Sequence, residues 1–252
     1  MDDAQQKRRN VDSFSAVADQ YLDSAVHREG RDLALLASWS DDAERALDVA
    51  CGAGHVAGAL ADSGVAEVVA VDVTAEMVRT ARAAFAVPGV TGDAERLPFR
   101  DDSFDVVTCR IAAHHFPDPA AFVAEVARVL APGGVFALED NVAPEDAALA
   151  DYFNRVEGHR DESHGHAYPV SWWRETLTAA GFSVEEAVTM RKELDYESWR
   201  DRTTQTADQR TAIDDLVRRS ESRDVYGVTI EDDEITSFSN EKGLFRARLP
   251  AR

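Results

Sequence analysis

Two rhythms of apolar residues run along this chain. Short, almost continuous apolar runs recur at Ala46-Leu47-Asp48-Val49-Ala50, Val68-Val69-Ala70-Val71, Phe104-Asp105-Val106-Val107-Thr108-Cys109 and Val135-Phe136-Ala137-Leu138. Runs of this length suit strands covered on both faces. Between them the spacing becomes helical. Thr74 supplies an N-cap oxygen ahead of Met77, Val78 and Ala81, and Phe122, Val123, Val126, Val129 and Leu130 line one side of a segment from Pro119 to Leu130. The glycine turn at 52 to 54 opens a helix to about Leu60, and Val90 to Gly92 is the candidate for a weak third strand. Strands separated by helices of roughly 10 to 15 residues pair in parallel through right-handed crossovers. The expected fold class is α/β, a doubly wound sheet whose ligand sits beyond the carboxyl ends of its strands.

Outside this core the texture differs. Residues 1 to 13 are polar and are expected to fray. Phe14, Val17, Ala18, Tyr21, Leu22, Ala25 and Val26 recur at helical spacing, and a second helix is expected from about Gly30 to Trp39. Beyond Glu139 the pattern predicts a helix from Pro144 to His159, a polar loop at 160 to 168, a helix from Ser171 to Ala180 stopped by Gly181, and a strand from Phe182. Glu197 to Arg223 reads as one or two charged helices, with strands at Val225 to Ile230 and Leu244 to Leu249. Residues 1–252 thus read as a single domain. Its core, about 40–140, is completed by terminal strands at about 182–190 and 225–249, under a helical cap drawn from about 14–39 and parts of 141–223.

Charge narrows the functional classes. The 252 residues carry 47 acidic against 27 basic side chains, with Lys7, Lys192 and Lys242 the only lysines, and Asp outnumbers Glu by 28 to 19. A net charge of −20 opposes nonspecific binding to nucleic acid, which needs cationic groups against phosphates. The composition resembles that of haloarchaeal cytoplasmic proteins. In molar salt the screening length falls to about 3 Å, so crowded carboxylates repel little while holding water at the surface. A halophilic, cytoplasmic protein is expected: no run approaches the roughly 18 apolar residues of a membrane span, and Met1-Asp2-Asp3 lacks secretory-signal character. Cys51 and Cys109 are too few for a disulfide framework or a multi-cysteine zinc site and read as small buried apolar residues.

Candidate chemistry gathers at the strand ends. Asp48-Val49-Ala50-Cys51-Gly52-Ala53-Gly54-His55 places strand, Gly-x-Gly turn and helix in the order of a nucleotide-binding loop. A dinucleotide fingerprint asks for a third glycine where Ala57 stands, and Asp48 would oppose a diphosphate. A cationic ligand bearing a ribose suits the loop better, because Asp72, ending the second strand, can accept both ribose hydroxyl protons. Further along stand Gly92-Asp93-Ala94-Glu95-Arg96-Leu97-Pro98-Phe99, Ser103-Phe104-Asp105-Val106-Val107 and Arg128-Val129-Leu130-Ala131-Pro132-Gly133-Gly134. In this order, with Asp48 to Gly54 and Ala70-Val71-Asp72, the segments resemble the successive motifs of class I S-adenosylmethionine-dependent methyltransferases. The likeness is to the ubiquinone/menaquinone-biosynthesis-like small-molecule branch, with its Methyltransferase type 11 domain. It is good over residues 14 to 140 and loose beyond. It implies a Rossmann-like, seven-stranded, mostly parallel sheet with a small helical cap, and S-adenosyl-L-methionine as cofactor.

The resemblance also implies roles for individual residues. The backbone of Ala50, Cys51, Gly52 and Gly54 contacts the methionine moiety, and Asp48 orients its amino group. Asp72 holds the ribose hydroxyls, Val73 and Met77 lie near the adenine, Asp93 accepts from the adenine amine, and the Ala94 N–H meets a ring nitrogen. Cys109 and Arg110 touch the methionine end through their backbone, and Tyr21 closes over the cofactor. His114 and His115 follow the fourth strand, where the acceptor should lie, with His115 nearer the cofactor. Either acts as a general base or simply lines the pocket, since a sulfonium-activated methyl calls for a base only when its nucleophile arrives protonated. No metal is required. His159, His164 and His166 suit a substrate-facing lid loop better than a metal site, and Trp172 and Trp173 either line an apolar acceptor site or belong to the core. The function expected is methyl transfer, by in-line displacement, to an O, N or C atom of a small molecule. A noncatalytic S-adenosylmethionine-binding regulator and an NAD-dependent oxidoreductase are the alternatives. The expected partner is the small-molecule acceptor, with no nucleic acid and no stable membrane association, in a monomer or homodimer.

Overall fold

The computed structural model describes residues 2–15, 22, 28, 30–40, 43–202 and 206–251. Five parallel strands open the sheet: β1 (Arg45–Val49), β2 (Glu67–Asp72), β3 (Gly89–Thr91), β4 (Phe104–Arg110) and β5 (Leu130–Asn141). β6 (Ser183–Glu193) lies at the far edge, β7 (Thr229–Glu231) and β8 (Glu234–Ser237) form a separate ribbon, and β9 (Ser239–Arg248) runs antiparallel between β5 and β6. The order across the seven-stranded sheet is β3-β2-β1-β4-β5-β9-β6. Order reverses beside β1, so the loops after β1 and β4 diverge and leave a crevice at their carboxyl ends.

The apolar runs are continuous because the sheet has helices on both faces. Leu47, Val49, Val107, Cys109, Phe136 and Leu138 pack on one side, while the alternate residues Ala46, Val68, Ala70, Val106 and Ala137 pack on the other. In chain order the helices are α1 (Asp3–Ser15), α2 (Arg31–Ser38), α3 (His55–Asp62), α4 (Ala75–Phe85), α5 (Pro119–Val129), α6 (Ala147–Arg160), α7 (Val170–Ala179), α8 (Tyr196–Asp201), α9 (Ala207–Val217) and α10 (Glu221–Tyr226). Phe122, Val123 and Val126 of α5 and Trp173 and Leu177 of α7 cover the first face; Leu36 of α2 and Val56, Ala57 and Leu60 of α3 cover the second. A third apolar cluster lies among the helices that follow β5. Phe153 and Val156 of α6, Trp199 of α8, Ile213 and Val217 of α9, and Tyr226 of α10 meet there.

Three expectations are corrected. Residues 3 to 15 form α1 rather than a frayed end, because polar side chains fasten it: Gln6 Nε2 donates to the Ser163 carbonyl at 2.7 Å and Asn10 Nδ2 to the His115 carbonyl at 2.9 Å. A reading of apolar periodicity cannot see such bonds. Val225 and Tyr226 end a helix, and the strand expected there contributes only the short β7 ribbon, while the sheet strand β9 starts at Ser239, ahead of the expected Leu244. Its first residues are polar because they face the mouth of the sheet. The charged stretch expected as one or two helices holds α8, α9 and α10.

Candidate active site

The carboxyl ends of β1, β2 and β4 open on a cavity of about 100 Å³. Ala50, Cys51 and Gly52 form its floor after β1, Asp72 and Val73 enter from β2, and Met77 from α4. Arg110, Ile111 and Ala112 close the β4 side. A smaller cavity of about 40 Å³ continues toward β3, where Asp93 and Ala94 join Ala50, Asp72 and Val73. α1 lies across both. Asn10 lines each cavity, Phe14 the larger and Lys7 the smaller, and the Lys7 ammonium sits 2.7 Å from Asp93 and 2.5 Å from Glu95.

The loop after β1 is shaped by close approach. Gly54 has φ 91°, and a Cβ there would lie 2.6 Å from the Ala81 Cβ on α4, so only glycine fits. Two cavity-lining residues take the left-handed region without being glycine, Ala50 at φ 52° and Ile111 at φ 53°. For a β-branched residue this costs on the order of 1–3 kcal/mol. The Ile111 N–H holds the turn by donating to the Glu139 carbonyl at 2.7 Å.

Two buried carboxylates set the ligand chemistry. Asp48 accepts from Thr108 Oγ1 at 2.9 Å and from the Ala57 N–H at 3.1 Å, and burial pushes its pKa up to about 7. Asp72 accepts from the Gly52 N–H at 3.0 Å and the Thr74 N–H at 2.8 Å, bracing the glycine loop against β2, and burial raises its pKa too. A phosphate would meet both carboxylates. A ligand offering an ammonium, a sulfonium or hydroxyl protons would be welcomed by them.

Comparison with known proteins agrees with this chemistry. Residues 47–138 match the family model described as a methyltransferase domain. The uncharacterized methyltransferase YcgJ of Bacillus subtilis is 38% identical over 231 residues, 88% of this chain and 91% of that protein. A candidate methyltransferase from Bacillus halodurans C-125 is 42% identical, and its crystal structure superposes with a TM-score of 0.83 over 88% of this chain and 100% of that one. The chain belongs to the class I S-adenosylmethionine-dependent methyltransferases. A ubiquinone biosynthesis O-methyltransferase of Xanthomonas euvesicatoria is 34% identical over 173 residues, 63% of this chain and 69% of that protein.

In this methyltransferase the residues present fit S-adenosylmethionine, since the paired carboxylates beside the glycine loop suit a cation and a diol and would repel a diphosphate. Asp48, Ala50, Cys51, Gly52, Asp72 and Val73 stand together around the larger cavity with Met77, Arg110 and His115, and Asp93 and Ala94 line the smaller one. Two positions sit apart. Gly54 lies behind the loop as the N-cap of α3, and Cys109 is buried inside the sheet between Val49 and Leu138, where burial drives its thiol pKa up. Tyr21 lies outside the described residues. Asn10, Phe14, His55 and Phe116 also line the larger cavity, although the sequence pattern gave none of them a binding role.

The histidines of the methyltransferase occupy the turn after β4, a single 3₁₀ turn at Ala113–His115. His115 Nδ1 faces the Ser163 carbonyl at 2.9 Å. A carbonyl only accepts, so the Nδ1 proton is fixed and Nε2 is the acceptor on a ring that lines the cofactor cavity. His114 Nδ1 meets Asp140 Oδ1 at 2.5 Å, and the His114 N–H donates to Asp140 Oδ2 at 2.7 Å. Burial keeps the His114 ring neutral and raises the Asp140 carboxyl to about 7. Beyond these rings lies a third cavity of about 70 Å³, which shares Phe14, Ile111 and His115 with the first.

The remaining expectations divide. His164 packs 5.6 Å from the His114 ring and its Nε2 lies 2.9 Å from Asn154 Oδ1, so the 160–168 loop forms a wall behind the histidine turn. Among the described residues, no three His, Cys, Asp or Glu side chains are grouped to hold a metal ion. Trp173 is core, 6.3 Å from Phe245, and Trp172 stacks on Tyr168 at 3.7 Å; neither lines the three cavities. A buried ion-pair chain went unforeseen: Arg110 meets Asp32 of α2 at 2.5 Å and Glu139 of β5 at 2.6 Å, and Lys192 reaches Asp32 at 2.7 Å. Only the fold brings these four residues together.

Proposed function

We propose that this methyltransferase carries a methyl group to an O, N or C atom of a small-molecule acceptor, with the cofactor across the first two cavities and the acceptor in the third. The observation that supports this reading is the shared wall of Phe14, Ile111 and His115, which joins the two spaces at one histidine. When bound, S-adenosylmethionine supplies a sulfonium-activated methyl, which bonds to the acceptor's lone pair in line as the carbon–sulfur bond breaks to leave S-adenosylhomocysteine. The chain's own part is to hold, to orient and to exclude water. In this reading Asp72 accepts from the ribose hydroxyls, Asp93 and the Ala94 N–H meet the adenine, and Asp48 with the backbone from Ala50 to Gly54 and Arg110 positions the methionine end. Tyr21 closes over it. His115 Nε2 takes the proton that a protonated acceptor must lose, while His114, fixed by Asp140, shapes the acceptor's side.

The likeness to a ubiquinone biosynthesis O-methyltransferase supports a small-molecule branch. The net charge of −20 supports a halophilic, cytoplasmic protein that leaves nucleic acid alone, and among the described residues no helix is long and apolar enough to cross a membrane. We read the active form as a monomer or homodimer. Calorimetric titration in high salt with S-adenosylmethionine, S-adenosylhomocysteine and NAD tests the proposal. The first two should bind and NAD should not, and Asp72→Asn should weaken S-adenosylmethionine roughly tenfold or more, the worth of a charged hydrogen bond. Binding of NAD alone would overturn the assignment, and binding without turnover on any acceptor would favour a regulator.

A further inference from the structure

We propose that the third cavity is an anion-reading acceptor subsite built on Lys242 and Asn240, and that the acceptor is a small molecule bearing a carboxylate together with an O–H or N–H group. The inference rests on the function proposed above and adds the substrate's chemical class.

Lys242, on β9, is one of three lysines in an acidic chain, yet it lines this cavity with only 3% of its surface exposed. A buried ammonium ordinarily pairs with a carboxylate. Here its hydrogen bond goes to the amide oxygen of Asn141 and, among the described residues, to no carboxylate. The nearby acids have partners of their own. Glu139 is bonded to Arg110, Glu157 to Arg160, and Asp140 to His114. Burial lowers the Lys242 pKa to about 8, while the nearby Glu139, Asp140 and Glu157 carboxyls favour its charged form. Lys242 spends one of its three N–H donors on Asn141 and can give others to a ligand.

Asn240 provides an independent mark. It is 4% exposed, lines the same cavity, and its Oδ1 has no hydrogen-bond partner among the described residues. A buried orphan acceptor is costly and is normally satisfied by something. A donor on the acceptor molecule would satisfy it. Arg160, itself paired with Glu157, Arg202 and Asp161 also line the wall, so charged groups of both signs surround the Lys242 ammonium. The volume of about 70 Å³ holds several water-sized groups, hence a compact molecule.

The test uses the full chain in high salt, saturated with S-adenosylhomocysteine, and titrates glycolate, lactate and 4-hydroxybenzoate against their uncharged amides. Methyl transfer from S-adenosylmethionine to the same panel is measured in parallel. At least one acid should bind tenfold or more tightly than its amide, and Lys242→Met should remove that preference while leaving S-adenosylhomocysteine affinity unchanged. Asn240→Asp, nearly isosteric, keeps the proposal testable if the lysine variant fails to fold, and its added negative charge should weaken the acid tenfold or more. Amides that match their acids, or an Asn240→Asp chain with unchanged acid affinity, overturn the subsite. Failure to bind S-adenosylhomocysteine would instead overturn the underlying function.

Discussion

Arg110→Met tests the buried ion-pair chain at the mouth of the cofactor cavity. Arg110 is 4% exposed at its side chain and holds Glu139, fully buried, at 2.6 Å and Asp32 at 2.5 Å. Methionine keeps most of the stem but leaves two carboxylates facing a place where a cation stood. Stranding a buried charge costs about 3–5 kcal/mol. Asp32 keeps Lys192 at 2.7 Å, so the loss falls mainly on Glu139 and belongs near the lower figure. For a chain of this size, about 3 kcal/mol lowers Tm by roughly 6–12 °C. The pH dependence gives the sharper check. Burial raises the Glu139 carboxyl from 4.5 to about 7 even with Arg110 beside it. Its ionisation therefore costs stability as pH climbs through that window, and a fold without Arg110 pushes the pKa higher still. The variant's deficit should be largest above pH 7 and shrink toward pH 5, where Glu139 is protonated with or without the arginine. In the parent chain Asp32 is held below the ordinary carboxylate range by Arg110 and Lys192 against its burial, and the variant keeps Lys192 beside it. Thermal melts followed by circular dichroism between pH 5 and 8, at one high salt concentration, read this directly. Adding Glu139→Gln should restore at least half of the lost Tm at pH 8. A deficit that is absent at pH 8, or that does not change with pH, would refute the reasoning.

Three further outcomes are expected. Gly54→Ala should abolish cofactor binding in a calorimetric titration or unfold the loop, since its Cβ would collide with Ala81, whereas Gly52→Ala, which has open space and only a φ of 51° to bear, should cost about 1 kcal/mol. His115→Ala should lower kcat by roughly 10²–10⁴-fold on a protonated acceptor and flatten the pH profile of turnover; unchanged turnover with an unchanged profile would leave His115 as a wall. Melting in dilute buffer and in about 3 M salt should show a clear rise in Tm, because 47 acidic residues repel one another until screened; equal values would remove the halophilic reading.

Much of the frame was legible along the chain because its signals are local. A strand buried on both faces is written as an uninterrupted apolar run, so Leu47 to Val49, Val68 to Val71 and Val135 to Leu138 announced β1, β2 and β5. Asp48 and Asp72 stood out for the same reason, as carboxylates interrupting or ending apolar strand runs where topology puts ligands, whereas Asp93 was singled out only by the family resemblance. The polar roof was not legible. Gln6 and Asn10 sit in a stretch that alone would fray, and they become buried through bonds to carbonyls more than 100 residues away in sequence. The pairing of Arg110 with Asp32 and Glu139 was hidden likewise, since in so acidic a chain any cation has many possible partners.

The sequence by itself determined the alternation of strand and helix, the glycine loop and the carboxylates that suit a sulfonium rather than a phosphate, because each depends on neighbours along the chain. The tertiary structure alone decided which polar groups were buried together: which nitrogen of His115 carries the proton, that Lys242 lies in a cavity hydrogen-bonded to an amide rather than a carboxylate, and that Asn240 holds an unmet oxygen. Burial and hydrogen-bond satisfaction are properties of surfaces brought together from distant segments, and no periodicity along the chain records them.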